Sequence, residues 1–322
     1  MNWITRWKKI GIKVKQILKK QPTNQQESDW KSCPQCKKIS YMSDLIKNFY
    51  ICECSFHFDF PAKNRLESLF DSNYEIIETK NNIDPDPLKF EVGERYRYID
   101  KIKKYQKVTG QKNALLCAAG RISNLRAVVT CFNPLFGGGR LGTVENENFL
   151  AAADYAIREK VDLWVVIFQS SGIDVHTGVT GLAGMTKTII AMDELKKAGI
   201  LTMAVAARAL AGGTYASAFF KHDLLIIESK CASNILFSGR RVTENILKSS
   251  DQIPEDFGTA SGVMKAGLAD IILESRKELK ETLTKLATII LKKEELLDKK
   301  DSTTNSPEEQ ISTSLQETSE AV

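Results

Sequence analysis

From Ala114 to about residue 297, apolar runs of strand length alternate with segments of helix length, and this alternation restricts the chain to an α/β fold. Ala114–Arg121 and Leu125–Phe132 predict a hairpin turning at Ser123-Asn124. Leu163–Phe168 is apolar throughout, as expected of a strand covered on both faces. A helix near 144–159 precedes it and one over 182–198, closed by Gly199, follows it. Leu201–Ala206 is the next strand, and a small-residue helix starts near Gly213. Strands at Leu224–Glu228, Asn234–Phe237 and 269–273, helices near 241–248 and 257–266, and a charged helix over 275–297 complete the series. Upstream, Pro61-Ala62-Lys63 opens a short amphipathic helix with Leu66, Leu69 and Phe70 on one face. Asp84-Pro85-Asp86-Pro87 breaks the chain, and a helix over 93–108 stops at Thr109-Gly110.

A length of 322 residues suits one large α/β domain with a small appendage. The net charge of +5 is unevenly spread, because residues 1–21 carry seven Lys/Arg and no acid while 301–322 carry five acids and no base. We divide the chain into a basic arm and linker (1–30), a Cys-rich module (31–60), the main domain (61–297) and an acidic Ser/Thr-rich tail (298–322) expected to be disordered. Apolar residues of the arm, from Trp3 to Leu18, recur at near-helical spacing between lysines. This favours docking on protein over contact with anionic lipid or nucleic acid, and an organelle-targeting role stays open. No apolar run reaches the roughly 18 residues that span a bilayer, so stable membrane insertion is not expected. Seven cysteines, an odd number, without a secretory signal point to a reducing, cytoplasmic setting.

Two strand-to-helix turns carry the candidate chemistry. Phe168-Gln169-Ser170-Ser171-Gly172 ends an apolar strand, and Ala211-Gly212-Gly213-Thr214 ends the next. Such turns aim backbone N–H groups at one point, which suits a negative oxygen. Asp174 and His176 in the first loop offer a proton-transfer pair, although two solvated loop residues are the favoured reading. Gly137-Gly138-Gly139 lacks the Gly-Lys-Ser/Thr of a phosphate loop and reads as a backbone turn near substrate. His222-Asp223, where a helix meets a strand, reads as structural.

Cys33 and Cys36, then fifteen residues, then Cys52 and Cys54 approach the spacing of a zinc ribbon. Four thiolates would close a tetrahedral shell around one structural zinc and hold about thirty residues whose core is too small to fold alone. The Cys-x-Cys pair is one residue short of the usual knuckle, which strains joint ligation, and His57 offers a Cys₃His alternative. Cys117, Cys131 and Cys231 lie in apolar, strand-like settings and read as packed thiols.

Over residues 1–297 the sequence resembles the β subunit of the bacterial acetyl-CoA carboxylase carboxyltransferase. The likeness is carried by Met1-Asn2-Trp3-Ile4, the Cys ribbon, Pro61-Ala62-Lys63, Arg65-Leu66, Leu69-Phe70-Asp71 and Asp86-Pro87-Leu88-Lys89-Phe90. It continues through Lys107-Val108-Thr109-Gly110, Gly138-Gly139-Arg140-Leu141-Gly142, Phe237-Ser238-Gly239-Arg240-Arg241-Val242 and Pro254-Glu255-Asp256-Phe257. The resemblance implies a crotonase-like ββα superhelix with a zinc-ribbon-like module. It implies transfer of a carboxyl group from carboxybiotin, borne on a biotin carboxyl carrier protein, to acetyl-CoA, giving malonyl-CoA for fatty acid synthesis. It also implies an α subunit that completes the site in an α2β2 assembly.

Carried over residue by residue, Gly212, Gly213 and Gly172 would frame the thioester oxygen or the CoA-side wall, with Gly138 and Gly139 near substrate, and Arg240 and Arg241 beside Gly239 would contact CoA phosphates or form a structural salt bridge. The family's first loop has two adjacent glycines, an arginine and a glutamate. Here Ile173 follows Gly172, and Ser171–Gly178 is one residue shorter. Alternatives are a crotonase-like enzyme for another acyl-CoA, or an inactive paralogue that scaffolds or regulates a carboxyltransferase. Nucleic-acid binding through the ribbon and arm is the weakest alternative.

Overall fold

The computed structural model describes residues 29–93, 96–230, 235–247 and 253–292. The basic arm, Cys231 and the acidic tail lie outside the described residues. The chain divides into two compact units, Met1–Phe56 and His57–Val322.

In the N-terminal unit, β1 (Trp30–Ser32) and β2 (Ile39–Tyr41) pair antiparallel, and α1 (Met42–Lys47) follows directly. Lys37, at φ 61°, turns the hairpin, and Phe49, Tyr50 and Ser55 also adopt positive φ. These bends return the second Cys pair to the first. Among the described residues of this unit, Cys33, Leu45, Tyr50, Ile51 and Cys52 are the buried apolar groups, few to hold so many bends by burial alone.

The C-terminal unit opens with α2 (Ala62–Leu69), β3 (Glu75–Ile77), the short hairpin β4 (Glu91–Val92) and β5 (Tyr96–Arg97), and α3 (Tyr98–Thr109). Gly110, at φ 66°, ends α3 in a left-handed cap, as its sequence signals predict. Next come β6 (Leu115–Ile122), β7 (Leu125–Phe132), α4 (Thr143–Arg158), β8 (Leu163–Ser170), α5 (Gly178–Lys197), β9 (Leu201–Ala211) and the single turn α6 (Gly213–Ala216). The series ends with β10 (Leu224–Glu228), β11 (Ile235–Leu236), α7 (Arg240–Leu247), α8 (Ala260–Lys265), β12 (Ile271–Leu273) and α9 (Leu279–Ile290). The strands order as β3-β6-β7-β8-β9-β10-β12, with β11 added beside the end of β9. β3, β6 and β7 pair antiparallel, and β7 through β12 along this path pair parallel.

Ser123 and Asn124, at φ 47° and 70°, make the tight hairpin turn between β6 and β7. Alternation along β8 splits two cores. Trp164, Val166 and Phe168 join the cluster under α4 and α5, while Leu163, Val165 and Ile167 join that under α2 and α9.

Four expectations shift, the first being the helix expected over 93–108, which starts at Tyr98 because Tyr96–Arg97 pairs as β5 with β4. β9 runs to Ala211 because Leu210 pairs with both Ser170 and Ile235, so tertiary pairing extends the strand beyond its apolar run. α5 starts at Gly178, four residues early, because a 3₁₀ turn at Val175–Thr177 feeds it. The segment after 275 holds a separate 3₁₀ turn at Arg276–Glu278 before α9, and residues beyond 292 lie outside the described ones. β3 was not expected, since only Ile77 of its three residues is buried.

One buried ion pair crosses the second core. Arg65 on α2 donates from both terminal nitrogens to the carboxylate of Glu228 on β10, at 2.5 and 2.8 Å. Arg276 stands 3.5 Å from the same carboxylate, and both guanidinium groups lie over the Phe60 ring. Glu228→Ala is expected to cost about 3–5 kcal/mol of stability, because two guanidinium groups stay buried without their counter-charge. Urea unfolding of the two proteins checks this.

Candidate active site

The first loop and the second turn sit side by side because β8 and β9 are adjacent parallel strands that end together, with Ser170 opposite Leu210. Between Phe168 and Ser170 the register slips, so β9 bulges over residues 207–209 before its turn. Arg208 on this bulge is paired with Asp59 at 2.6 Å. Beyond the strand ends the two turns touch backbone to backbone. Gly172 has φ 107°, and a methyl group there would come within 2.7 Å of the Ala211 carbonyl oxygen. Gly212 has φ 61° and lies against the Cα of Gly172. Both positions require glycine.

The amides of these two glycines are already engaged. Gly172 N–H donates to Ser170 Oγ at 3.1 Å, and Gly212 N–H donates to the Phe237 carbonyl at 3.0 Å. They shape the turns. The Gly172 carbonyl accepts from Leu141 N–H at 2.9 Å, and Asp174 N–H returns to the Leu141 carbonyl at 3.0 Å. In a trans peptide the N–H points opposite to the C=O, so the Ile173 N–H faces away from Leu141. Gly213 is the first residue of α6, and its N–H has no intrahelical acceptor. Neither the Ile173 nor the Gly213 amide donates a hydrogen bond among the described residues.

The Ile173 side chain packs over the second turn. A methyl group on Gly213 would meet Ile173 Cγ1 at 2.1 Å and Met185 Sδ at 3.1 Å. Tyr215, Leu236, Phe237, Phe257, Val263 and Leu268 line an apolar cavity of about 490 Å³ next to this turn.

On the other side of the first loop lies a polar cluster. Asp174 Oδ2 accepts from Arg140 and from the Tyr98 hydroxyl, and Oδ1 accepts from His176 N–H at 3.1 Å and pairs with His176 Nδ1 at 2.8 Å. Burial alone would raise the Asp174 carboxyl, but the Tyr98 hydrogen bond, the Arg140 charge and His176 outweigh it and hold it below the usual carboxylate range. Burial pushes the Tyr98 phenol up, against the pull of Arg140, so it stays protonated and donates. Asp174 is therefore a buried carboxylate, which corrects the expectation of solvated loop residues. The His176 ring stacks on Tyr98 at 4.1 Å, meets Phe90 edge-on at 5.0 Å, and places Nε2 3.1 Å from the Tyr96 hydroxyl. Tyr98, Lys101, Tyr105, Gly137, Ser171 and His176 border a cavity of about 170 Å³.

The Gly137–Gly139 turn braces this loop. Ser171 N–H donates to the Gly138 carbonyl at 2.9 Å, and a methyl group on Gly139 would fall 1.9 Å from the Gln169 carbonyl oxygen. Gly239 accepts from Val242 N–H at 2.8 Å as α7 begins, and Arg240 and Arg241 are the first residues of that helix. Sequence reasoning did not foresee Tyr98 or Glu145 as site residues. The only available signal was Arg140 within the glycine-rich motif, since a buried arginine needs acidic partners.

In the N-terminal unit the sulfur atoms of Cys33, Cys36, Cys52 and Cys54 lie within 4.8 Å of one another. Cys33 and Cys54 are 3.6 Å apart and Cys36 and Cys52 are 3.7 Å apart, far longer than a disulfide. Tetrahedral bonds of about 2.3 Å put sulfurs about 3.8 Å apart, so the group could hold a metal ion. Both cysteines of the Cys-x-Cys pair fall within the group, and His57 is not in it. A wider cleft of about 770 Å³ in this unit, beside Trp30 and Tyr41, carries no comparable chemistry.

A carboxyl transferase domain matches residues 90–319. The chain is 34% identical over 267 residues to the acetyl-coenzyme A carboxylase carboxyl transferase subunit beta of Sulfurihydrogenibium sp. (strain YO3AOP1), covering 83% of this chain and 92% of that protein. It is 32% identical over 309 residues to the same subunit of Pelagibacter ubique (strain HTCC1062), covering 95% and 96%. The chain belongs to the acetyl-CoA carboxylase carboxyltransferase β-subunit family. Among solved structures, a Pseudomonas malonate decarboxylase hetero-tetramer superposes with a TM-score of 0.54 at 18% identity, over 72% of this chain and 82% of that one. Transcarboxylase 12S also superposes at 0.54, with 17% identity over 71% of this chain and 41% of that one. These place the C-terminal unit in the crotonase-like fold. No helix of the described residues is long and apolar enough to cross a membrane.

His222 is structural, as expected. Its buried ring lies 2.9 and 3.0 Å from the carbonyls of Ala218 and Phe219, and burial lowers its pKa to about 4. The folded ring stays neutral while the unfolded one protonates below about 6.5, so this stabilisation is complete above that pH and is lost as pH falls toward 4. Between pH 7 and pH 5 it should remove about 2 kcal/mol. His222→Gln should flatten that part of the stability–pH curve, as read by urea unfolding.

Proposed function

We propose that this chain is the β subunit of a biotin-dependent acetyl-CoA carboxyltransferase, making malonyl-CoA for fatty acid synthesis. The observation that carries the reading is the pair of undonated amides, Ile173 and Gly213, on two touching turns beyond the ends of β8 and β9. A thioester oxygen between them gains negative charge as the acetyl methyl loses its proton, and two fixed donors lower the energy of that enolate. Carboxybiotin supplies the CO₂ and, once decarboxylated, the base. The methyl carbon forms the new C–C bond and its proton leaves on the biotin ring nitrogen, so no side-chain acid or base of this chain is consumed.

Gly172 and Gly212 serve by letting the turns approach, and Gly138 and Gly139 by bracing the first loop. The apolar cavity beside Gly213 is the proposed approach of the CoA arm, with Gly239, Arg240 and Arg241 on its phosphate side. Exposed Val175, Val179, Leu182 and Ile190 recur at helical spacing along the loop and α5, an unpartnered apolar stripe that supports pairing with an α subunit in an α2β2 assembly. The carrier protein would deliver carboxybiotin to the joint site.

Cys33, Cys36, Cys52 and Cys54 are proposed to hold one structural zinc, and the reduced thiols this requires suit the cytoplasm. The Ile173 side chain over Gly213 favours one second reading, a paralogue that binds the α subunit without turnover.

Mixed with its α subunit, the chain should consume malonyl-CoA in the reverse reaction with free biotin. Gly213→Ala keeps the amide but adds a methyl that would meet Ile173 Cγ1 at 2.1 Å, so it should displace the two turns from each other and lower kcat. A complex that assembles without turnover would select the paralogue reading, and turnover of a different acyl-CoA would move the substrate assignment. Cobalt(II) added to metal-free protein should give thiolate charge-transfer absorption that Cys52→Ser greatly weakens.

A further inference from the structure

The first loop is fixed by side chains to which the proposed reaction gives no chemical step. Arg140 precedes Leu141 and Asp174 follows Ile173, so this ion pair straddles the two backbone hydrogen bonds to Leu141, one from each of the peptides that flank Ile173. Arg140 is buried and tied to three separate segments: Tyr98 on α3, Asp174 on the loop and Glu145 on α4, the last at 3.5 Å. Glu145 is itself fixed, accepting from Ala114 N–H at 2.9 Å and Gly142 N–H at 3.1 Å. The Asp174 carboxylate uses both oxygens, one on Arg140 and Tyr98 and the other on the 3₁₀ turn through His176. Within that turn, Thr177 Oγ1 donates to the Asp174 carbonyl at 2.7 Å.

We propose that Asp174, clamped by Arg140 and Tyr98, is a positioning residue that sets the direction of the Ile173 N–H. This rests on the reading of Ile173 and Gly213 as the enolate donors. Each bond of the clamp restrains the residue next to Ile173, so loosening it lets the Gly172–Ile173 peptide rotate about its single hydrogen bond to Leu141. A donor that swings off line is lost chiefly when charge develops, so the effect falls on kcat and spares ground-state binding. A loop held only for its own stability would show no such asymmetry.

The test uses the complex with the α subunit. Asp174→Asn keeps the shape and removes the charge. It should lower kcat of the malonyl-CoA reaction by about 10- to 100-fold while KM for malonyl-CoA changes by less than about twofold. Tyr98→Phe keeps the ring stacked on His176, removes one donor to Asp174, and should lower kcat by less than Asp174→Asn. Hydrogen exchange should quicken at residues 171–175 in Asp174→Asn and stay unchanged along β8. Wild-type kcat in Asp174→Asn, or unaltered exchange at 171–175, overturns the proposal. Loss of kcat together with a matching rise in KM also overturns it. Wild-type turnover tests the functional reading separately: if the wild-type complex is inactive that reading fails, while the exchange comparison still decides whether Asp174 holds the loop.

Discussion

The candidate site depends on the parallel pairing of β8 with β9, which ends both strands at one level and presses their two turns together. Parallel strands need a crossover between them, and here α5 packs its small and apolar residues under the sheet while carrying the chain back. The turns then meet with only backbone between them. Gly172 and Gly212 are needed for that approach, because a side chain on Gly172 would strike the Ala211 carbonyl. Once the turns touch, the amides of the next residues, Ile173 and Gly213, donate no hydrogen bond among the described residues.

Buried charge organises the molecule at two places with different consequences. Arg65, Arg276 and Glu228 tie α2 and the segment before α9 to β10 in the second core, away from the glycine turns. Arg140, Asp174 and Glu145 tie α4 and the first loop together, with the Tyr98 hydroxyl completing the set from α3. Desolvated ion pairs contribute little net stability but make it costly to rearrange one partner without the other. In the first case the result is a locked core, in the second a loop held to one conformation.

Much of the architecture was legible. The β6–β7 hairpin, the buried β8, the Gly110 cap and the helix after Pro61 follow from periodicity, turn residues and capping rules that act over a few positions. The extension of β9 to Ala211 and the edge strand β3 were not, since each depends on pairing with residues distant in sequence, and α5 starts early because a 3₁₀ turn with no apolar periodicity feeds it. The two glycine turns were visible as the place of interest. Which amides remain undonated was not, because the Gly172 and Gly212 amides are engaged by Ser170 and by Phe237 on a later segment.

Local sequence determined the α/β class, the two turn positions and the Cys spacing, because each is written in residue type at short range. Family membership could also be inferred from motif order. Tertiary structure alone decided that Asp174 is a buried, paired carboxylate, that Ile173 covers Gly213, and that the four sulfurs converge without His57. The physical reason is the same each time. Burial and hydrogen-bond direction depend on which distant segments meet, and one loop's composition does not carry that information.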